Sequence, residues 1–314
     1  MRLRELQSAM EETIFVGQAF KLGIFNQLHS EPCSSDDLAN RMGFDKRATW
    51  VLLEALVEMK YLQKDGKTYM VPGDVVNRLV KEGGPEYEGD FWRFLLYLVN
   101  PWRTLPHVLT HGEPDTSSYR ELDMKDFIRG MDSPWKKKIA PEVVDVCLAH
   151  CENAKTVADI GGAPGTIARE FSHRNVHTII YDLPESLEVM EEELSVIENV
   201  SLVKGDATES LPEGPYDIAF LGNICHGQSP DDNQKIIDMC YQKLGENGIV
   251  AIFDNIRGES YLGATLALHM LTQSKRGNIY TREEYLEWLQ KTGFRDIQVS
   301  SLSDPAWQII IGYK

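Results

Sequence analysis

The sequence has no Cys-x-x-Cys pair, and its five cysteines, at 33, 147, 151, 225 and 240, are odd in number. This argues against a disulfide framework and against a structural zinc site, and it fits a reducing cytoplasm. Nor is there a surplus of positive charge. Asp and Glu number 48 against 32 Lys and Arg, a formal net charge of −16, which repels nucleic acid phosphate and anionic membrane surfaces. No apolar run is long enough to span a bilayer, and the N-terminus, Met1-Arg-Leu-Arg-Glu-Leu-Gln, lacks the apolar core of a secretion signal. Internal repeats, low-complexity segments and His/Cys/Asp clusters at metal-ligand spacing are likewise missing. What remains is an ordinary globular composition, expected to be cytoplasmic. At 314 residues it is long enough for two domains, each with its own core.

From residue 5 to about 29, Ile14, Phe15, Ala19, Leu22, Ile24, Phe25 and Leu28 recur near helical spacing and predict an amphipathic helix. Ser34-Ser-Asp-Asp-Leu-Ala-Asn-Arg-Met-Gly opens with cap residues and closes on glycine, and a second capped helix starts at Asp45. Tyr61-Leu-Gln-Lys-Asp-Gly-Lys-Thr-Tyr-Met-Val reads as two short strands about Asp65-Gly66. Two helices and a hairpin make a winged-helix pattern. Its second helix has Lys46 and Arg47 at the start, then Trp50, Leu52, Leu53, Glu54, Leu56, Val57 and Glu58, so phosphate-contacting basic residues are missing. An apolar winged helix of this kind suits a homodimer interface better than DNA. Residues 83–135 are irregular and aromatic, and a helix near Ile139 leads into a second domain. From 156 onward, strand candidates at 156–160, 178–182, 200–204, 216–221, 248–253, 296–300 and 307–313 alternate with helical segments. The pattern predicts a doubly wound, mostly parallel α/β sheet with ligands at the carboxyl ends of its strands. The expected divisions are 1–100 for the mainly α winged-helix domain, 101–138 for linking helices and a substrate-facing segment, and 139–314 for the catalytic domain.

Within that second domain, Thr156-Val-Ala-Asp-Ile-Gly-Gly-Ala-Pro-Gly-Thr166 followed by Ile179-Ile-Tyr-Asp182 reads as strand, glycine-rich turn, helix start and a second strand ending in an acid. Gly161, Gly162 and Gly165 let the backbone approach a ligand closely, and Asp182 lies where an acid accepts hydrogen bonds from ribose hydroxyls. A dinucleotide turn would carry its first glycine at Ile160. The acid beside it, Asp159, would repel a pyrophosphate but suits a ligand bearing an ammonium and a sulfonium, which describes S-adenosylmethionine.

The other polar residues at strand ends are Asp206, His226 and Asp254. Asp206, in Val-Lys-Gly-Asp-Ala, could accept from an adenine amino group or simply hold a turn. His226, in Asn-Ile-Cys-His-Gly-Gln-Ser-Pro, precedes a helix capped by Ser229, with Asp231 and Asp232 in its first turn. An imidazole there can take the proton of an acidic hydroxyl, and Asp254, ending Ile249-Val-Ala-Ile-Phe-Asp, could orient the ring.

From about residue 10 to the C-terminus the chain resembles the S-adenosylmethionine-dependent O-methyltransferases of the plant-type and bacterial small-molecule family. Four blocks carry the resemblance: residues 34–71, Val-Ala-Asp-Ile-Gly-Gly-Ala-Pro-Gly-Thr, Ile-Tyr-Asp-Leu-Pro, and Asn-Ile-Cys-His with the later Tyr280-Thr-Arg-Glu-Glu-Tyr-Leu-Glu-Trp-Leu-Gln-Lys-Thr-Gly-Phe294. It implies a Rossmann-like catalytic domain, a homodimer, no resident metal, and S-adenosylmethionine held by Asp159, the three glycines, Asp182, Leu183, Asp206, Ala207 and Asn223. It further implies His226 as general base with Asp254 behind it, and an acceptor pocket near Met131, His269, Met270 and Tyr280. The methionines also fit as core fillers, and Trp92, Phe94, Tyr97 and Trp102 as a pocket roof or as buried rings.

Four positions depart from the family. Gly227-Gln228 stand where Asp-Trp follows the histidine, Gly222 replaces a lysine four residues before it, and Ile279 replaces a second supporting glutamate. The expectation is methyl transfer to a small aromatic acceptor, at a hydroxyl oxygen or, with a weakly braced base, at an activated ring carbon. From other classes, the readings are a winged-helix regulator that binds S-adenosylmethionine as a signal, a silent dimer scaffold, and a nicotinamide dehydrogenase disfavoured by Asp159 and Ile160.

Overall fold

Side chains along Ile249-Val-Ala-Ile-Phe253 are all fully buried, as in a strand covered on both faces. The computed structural model describes residues 2–118 and 123–314 and divides the chain into two units, residues 1–99 and 100–314.

The first unit contains α1 (Arg2–Lys21), α2 (Ile24–Ser30), α3 (Ser35–Met42), α4 (Lys46–Glu58), β1 (Gln63–Asp65), β2 (Thr68–Met70), α5 (Gly73–Leu79) and the start of α6 (Gly89–Arg103). The single helix expected from 5 to about 29 is broken in two, because Gly23 takes φ 78° and starts α2 in a left-handed conformation. Ser34 and Asp45 cap α3 and α4 by accepting the backbone N–H of Asp37 and Ala48, and β1 pairs antiparallel with β2. Glu54 of α4 accepts from both Lys64 and Tyr69 of the hairpin, which ties the hairpin to that helix. Trp92 and Phe94 are buried.

The second unit continues with α7 (Leu105–His111), α8 (Met124–Met131), α9 (Pro134–His150), β3 (Thr156–Ile160), α10 (Thr166–His173), β4 (His177–Asp182), α11 (Pro184–Leu194), β5 (Val200–Lys204), β6 (Tyr216–Gly222), α12 (Pro230–Lys243), β7 (Leu244–Asp254), α13 (Tyr261–Gln273), α14 (Arg282–Thr292), β8 (Arg295–Ser301) and β9 (Gln308–Tyr313). Seven strands form one sheet in the order β5-β4-β3-β6-β7-β9-β8, parallel from β5 to β7 and antiparallel at β9 and β8. Period-two alternation sends neighbouring side chains to opposite faces. Val157 and Ile218 pack under α9 and α10, whereas Ala158 and Ala219 pack under α12 and α14. Each large apolar side chain so buried contributes about 1.5–3 kcal/mol. The chain moves outward from β3 to β5, then returns to β6 on the other side of β3. That reversal opens a crevice at the carboxyl ends of β3 and β6. Among the described residues, no helix is long and apolar enough to cross a membrane.

Candidate active site

The turn after β3 is folded by its own backbone. Gly161 N–H donates to the Tyr181 carbonyl at 2.8 Å and Gly165 N–H to that of Gly162 at 2.7 Å. Gly161 sits at φ 72°, where side chains are strained, and a Cβ there would meet Ile224 at 2.8 Å. A Cβ on Gly162 would stand 2.7 Å from the Asp159 carboxyl carbon; Gly165, at φ 85°, caps α10. The turn is fastened to the next strand by Asp182, whose carboxylate accepts from Ala163 N–H at 3.0 Å and Leu183 N–H at 2.7 Å. Asp182 therefore shapes the turn as well as lining the crevice. Burial pushes its carboxyl above the usual range against the pull of those two amides.

Asp159 is 2% exposed, and its Oδ2 has no hydrogen-bond partner. Burial raises its carboxyl to about 7, with the Lys136 cation opposing and Asp182 adding to the rise. Lys136, from the first turn of α9, is pushed below its ordinary value by burial, with Asp159 foremost among the acids opposing the shift. Sequence reasoning missed it, since Lys136-Lys-Lys138 looks like a solvated run.

The crevice itself, about 280 Å³, is lined by Gly161, Tyr181, Asp182, Leu183, Gly205, Asp206, Ala207, Thr208, Ile224, Gln228 and Arg276. The structure thus brings together Gly161, Asp182, Leu183, Asp206 and Ala207 of the expected cofactor set. Asp206 serves as a turn acid through Oδ1, which accepts from Thr208 N–H and Oγ1–H at 2.8 Å each. Leu183 is 38% exposed on the crevice wall and offers apolar contact. Asn223 adopts φ 59° and leaves Nδ2 buried without a partner. Arg276 was not foreseen; its only motif-like signal is a cation in the Ser-Lys-Arg-Gly loop after α13.

Beyond β6, a short helical turn at Cys225–Gly227 presents His226. His226 Nδ1 lies 2.8 Å from Asp254 Oδ1. A carboxylate only accepts, so Nδ1–H donates and Nε2 is left with a lone pair. Asp254 Oδ1 also accepts Asn255 N–H at 2.8 Å, and Tyr285 Oη–H donates to Oδ2 at 3.3 Å. Burial first, then the His226 charge, lowers His269 to about 4. Its Nδ1 accepts from Trp102 Nε1–H at 3.2 Å, and its Nε2 is paired with Gln273. Met270 packs on the loop at Gly277, where a Cβ would meet Met270 Cε at 2.6 Å. Met131 ends α8, partly buried.

Tyr280 corrects an expectation. It is 1% exposed, its hydroxyl donates to the Gln228 carbonyl at 2.5 Å, and its ring packs against Trp288 at 4.9 Å. It belongs to the core beneath His226 and offers no surface to an acceptor. Among the described residues, no group of three His, Cys, Asp or Glu side chains is placed to hold a metal ion.

These features can be set against known proteins. The family model of the O-methyltransferase domain matches residues 104–295. The chain belongs to that family. The O-methyltransferase is 26% identical over 308 residues to the tetracenomycin polyketide synthesis 8-O-methyl transferase TcmO of Streptomyces glaucescens, spanning 91% of this chain and 89% of that protein. It is 27% identical to acetylserotonin O-methyltransferase of Gallus gallus over 90% of this chain and 88% of that one. Its fold is that of PigF, solved with S-adenosylhomocysteine, at TM-score 0.83 and 20% identity, covering 100% of this chain and 99% of that one.

The cofactor of the O-methyltransferase is S-adenosylmethionine, and the crevice fits it. At the end of β3, behind the crevice lining, Asp159 keeps a buried carboxylate oxygen without a hydrogen-bond partner, and the glycine turn leaves no room for a Cβ at 161 or 162. The departures also have physical readings. A Cβ on Gly222 would meet the Phe220 ring at 2.5 Å, so a side chain at the lysine position has no space. Gly227 is open, and Gln228 and Arg276 line the crevice instead. Ile279 is fully buried.

Proposed function

We propose that this O-methyltransferase methylates a hydroxyl oxygen of a small aromatic acceptor, with His226 as general base and Asp254 as the acid that holds it. The observation carrying this reading is the 2.8 Å contact from His226 Nδ1 to Asp254 Oδ1. Asp254 fixes the tautomer, so Nε2 can take the acceptor's hydroxyl proton as the oxygen becomes nucleophilic, and the buried carboxylate then stabilises the imidazolium. His269 is engaged at both ring nitrogens, which leaves His226 as the imidazole able to accept a proton.

Bound S-adenosylmethionine supplies an electrophilic methyl group on a sulfonium. Asp159 and the turn at Gly161, Gly162 and Gly165 would face its methionyl end. Asp182 has unused lone pairs for ribose hydroxyls, while Leu183, Asp206, Ala207 and Asn223 would surround the base, joined by Arg276. Met131, His269 and Met270 would form the acceptor side. Relatives named for aromatic hydroxyl substrates, acetylserotonin and 3-hydroxy-5-methyl-1-naphthoate among them, support the acceptor class. We further propose a cytoplasmic homodimer whose residues 1–100 act as a winged-helix dimerisation domain, joined through 101–138 to a catalytic domain at 139–314.

The test is incubation of the protein with methyl-labelled S-adenosylmethionine and a panel of hydroxyarenes, followed by NMR of the products. New methoxy signals are expected. Ring-methyl signals alone would replace this reading with carbon methylation.

A further inference from the structure

A base held by one carboxylate keeps a rotational freedom, because the carboxylate can turn about its Cβ–Cγ bond and carry its acceptor oxygen away from the imidazole. In this chain that freedom is removed from the far side. Asp254 Oδ1 is shared by His226 Nδ1 and Asn255 N–H, both at 2.8 Å, and Oδ2 points inward, where Tyr285 Oη lies 3.3 Å away. Tyr285 is fully buried. A buried hydroxyl costs free energy unless it is hydrogen-bonded, and Asp254 Oδ2 is the partner this one has.

Three features hold that hydroxyl in place. Tyr285 stands edge-on to Tyr280 at 6.3 Å and to Trp288 at 5.4 Å. Tyr280 is itself anchored to the carbonyl of Gln228, two residues after the base. The start of α14 is fixed by a capping box, in which the Thr281 side chain accepts from Glu284 N–H while Glu284 accepts from Thr281 N–H.

We propose that Tyr285 is a positioning residue that braces Asp254, and through it His226, doing with a neutral donor what a second carboxylate would have done from position 279. The proposal rests on the reading of His226 as the base. A donor suits this place because a second anion beside Asp254 would repel it in a water-poor interior, whereas a hydroxyl both orients the carboxylate and shares its charge. The brace also explains how the dyad tolerates a fully buried Ile279, whose side chain forms no hydrogen bond.

The test is Tyr285→Phe in the full-length enzyme, which deletes one oxygen and keeps the ring. We expect kcat to fall about tenfold, in line with a lost hydrogen bond to a charged group. KM for the acceptor and affinity for S-adenosylmethionine should each stay within about twofold. Nitrogen-15 NMR of the His226 ring, assigned with His226→Ala, should change from one tautomer protonated at Nδ1 to a mixture. An unchanged kcat with an unchanged tautomer overturns the proposal, as does a fall in kcat that follows melting temperature while the tautomer stays fixed.

Full activity in His226→Ala would instead defeat the base reading, and the ring NMR of Tyr285→Phe would still report on the brace. If Tyr285→Phe does not fold, 3-fluorotyrosine at 285 strengthens the same donor. A shift of the His226 Nδ1 proton resonance then supports the brace, and no shift overturns it.

Discussion

Asp159 keeps a buried carboxylate oxygen without a hydrogen-bond partner even with the Lys136 cation nearby, a costly arrangement that suits a ligand bringing a further cation. With its carboxyl raised to about 7 by burial, the folded chain holds a proton that the unfolded chain releases at a lower pH. This group therefore costs the empty protein stability as pH rises through that window, at about 1.4 kcal/mol per unit of displacement. An ammonium group arriving beside it favours the anion, so binding of S-adenosylmethionine at pH 6 should release a proton. Calorimetry in buffers of different ionisation enthalpy should give different heats for the wild-type protein and equal heats for Asp159→Asn. Equal heats for both would remove Asp159 from the methionyl end. Sequence spacing marked Asp159, Asp182, His226 and Asp254, because strand ends on a parallel sheet converge. It did not reveal Lys136, Arg276 or the bond from Tyr285, since these come from helices and loops whose facing direction depends on packing. Tyr280 was misplaced for the same reason: its neighbours in sequence lie at the site, but its side chain turns into the aromatic cluster.

Elements were legible to different degrees. β3 and β5 fall at 156–160 and 200–204 as read from the sequence, because short segments rich in Val, Ile and Leu and bounded by turn residues read as strands. The caps at Ser34, Asp45 and Ser229 were equally plain, each side chain accepting a backbone N–H of its helix. The N-terminal segment was less so, since apolar periodicity passes through Gly23 while the backbone does not. On α1, Leu3, Leu6 and Met10 form a stripe at helical spacing and are 83%, 56% and 70% exposed. A stripe of that kind calls for a partner surface. Sedimentation velocity should give the mass of two chains for the wild-type protein and a shift toward one chain for the double substitution Leu6→Glu with Met10→Glu. A monomeric wild-type protein at micromolar concentration would contradict the dimer.

At the scale of the molecule, strand order places the chemistry. The reversal between β3 and β6 opens the crevice for the cofactor, and the ends of β6 and β7 set His226 against Asp254. The formal charge of −16 disfavours nucleic acid, in keeping with a small-molecule acceptor. The central claim is that the imidazole on this framework removes the acceptor's proton. The most direct measurement is turnover of His226→Ala on a hydroxyarene that the wild-type enzyme methylates, alongside the affinity of both proteins for S-adenosylmethionine. The account predicts a loss of about 100-fold or more in kcat with cofactor affinity nearly unchanged. A loss of less than about threefold would contradict it.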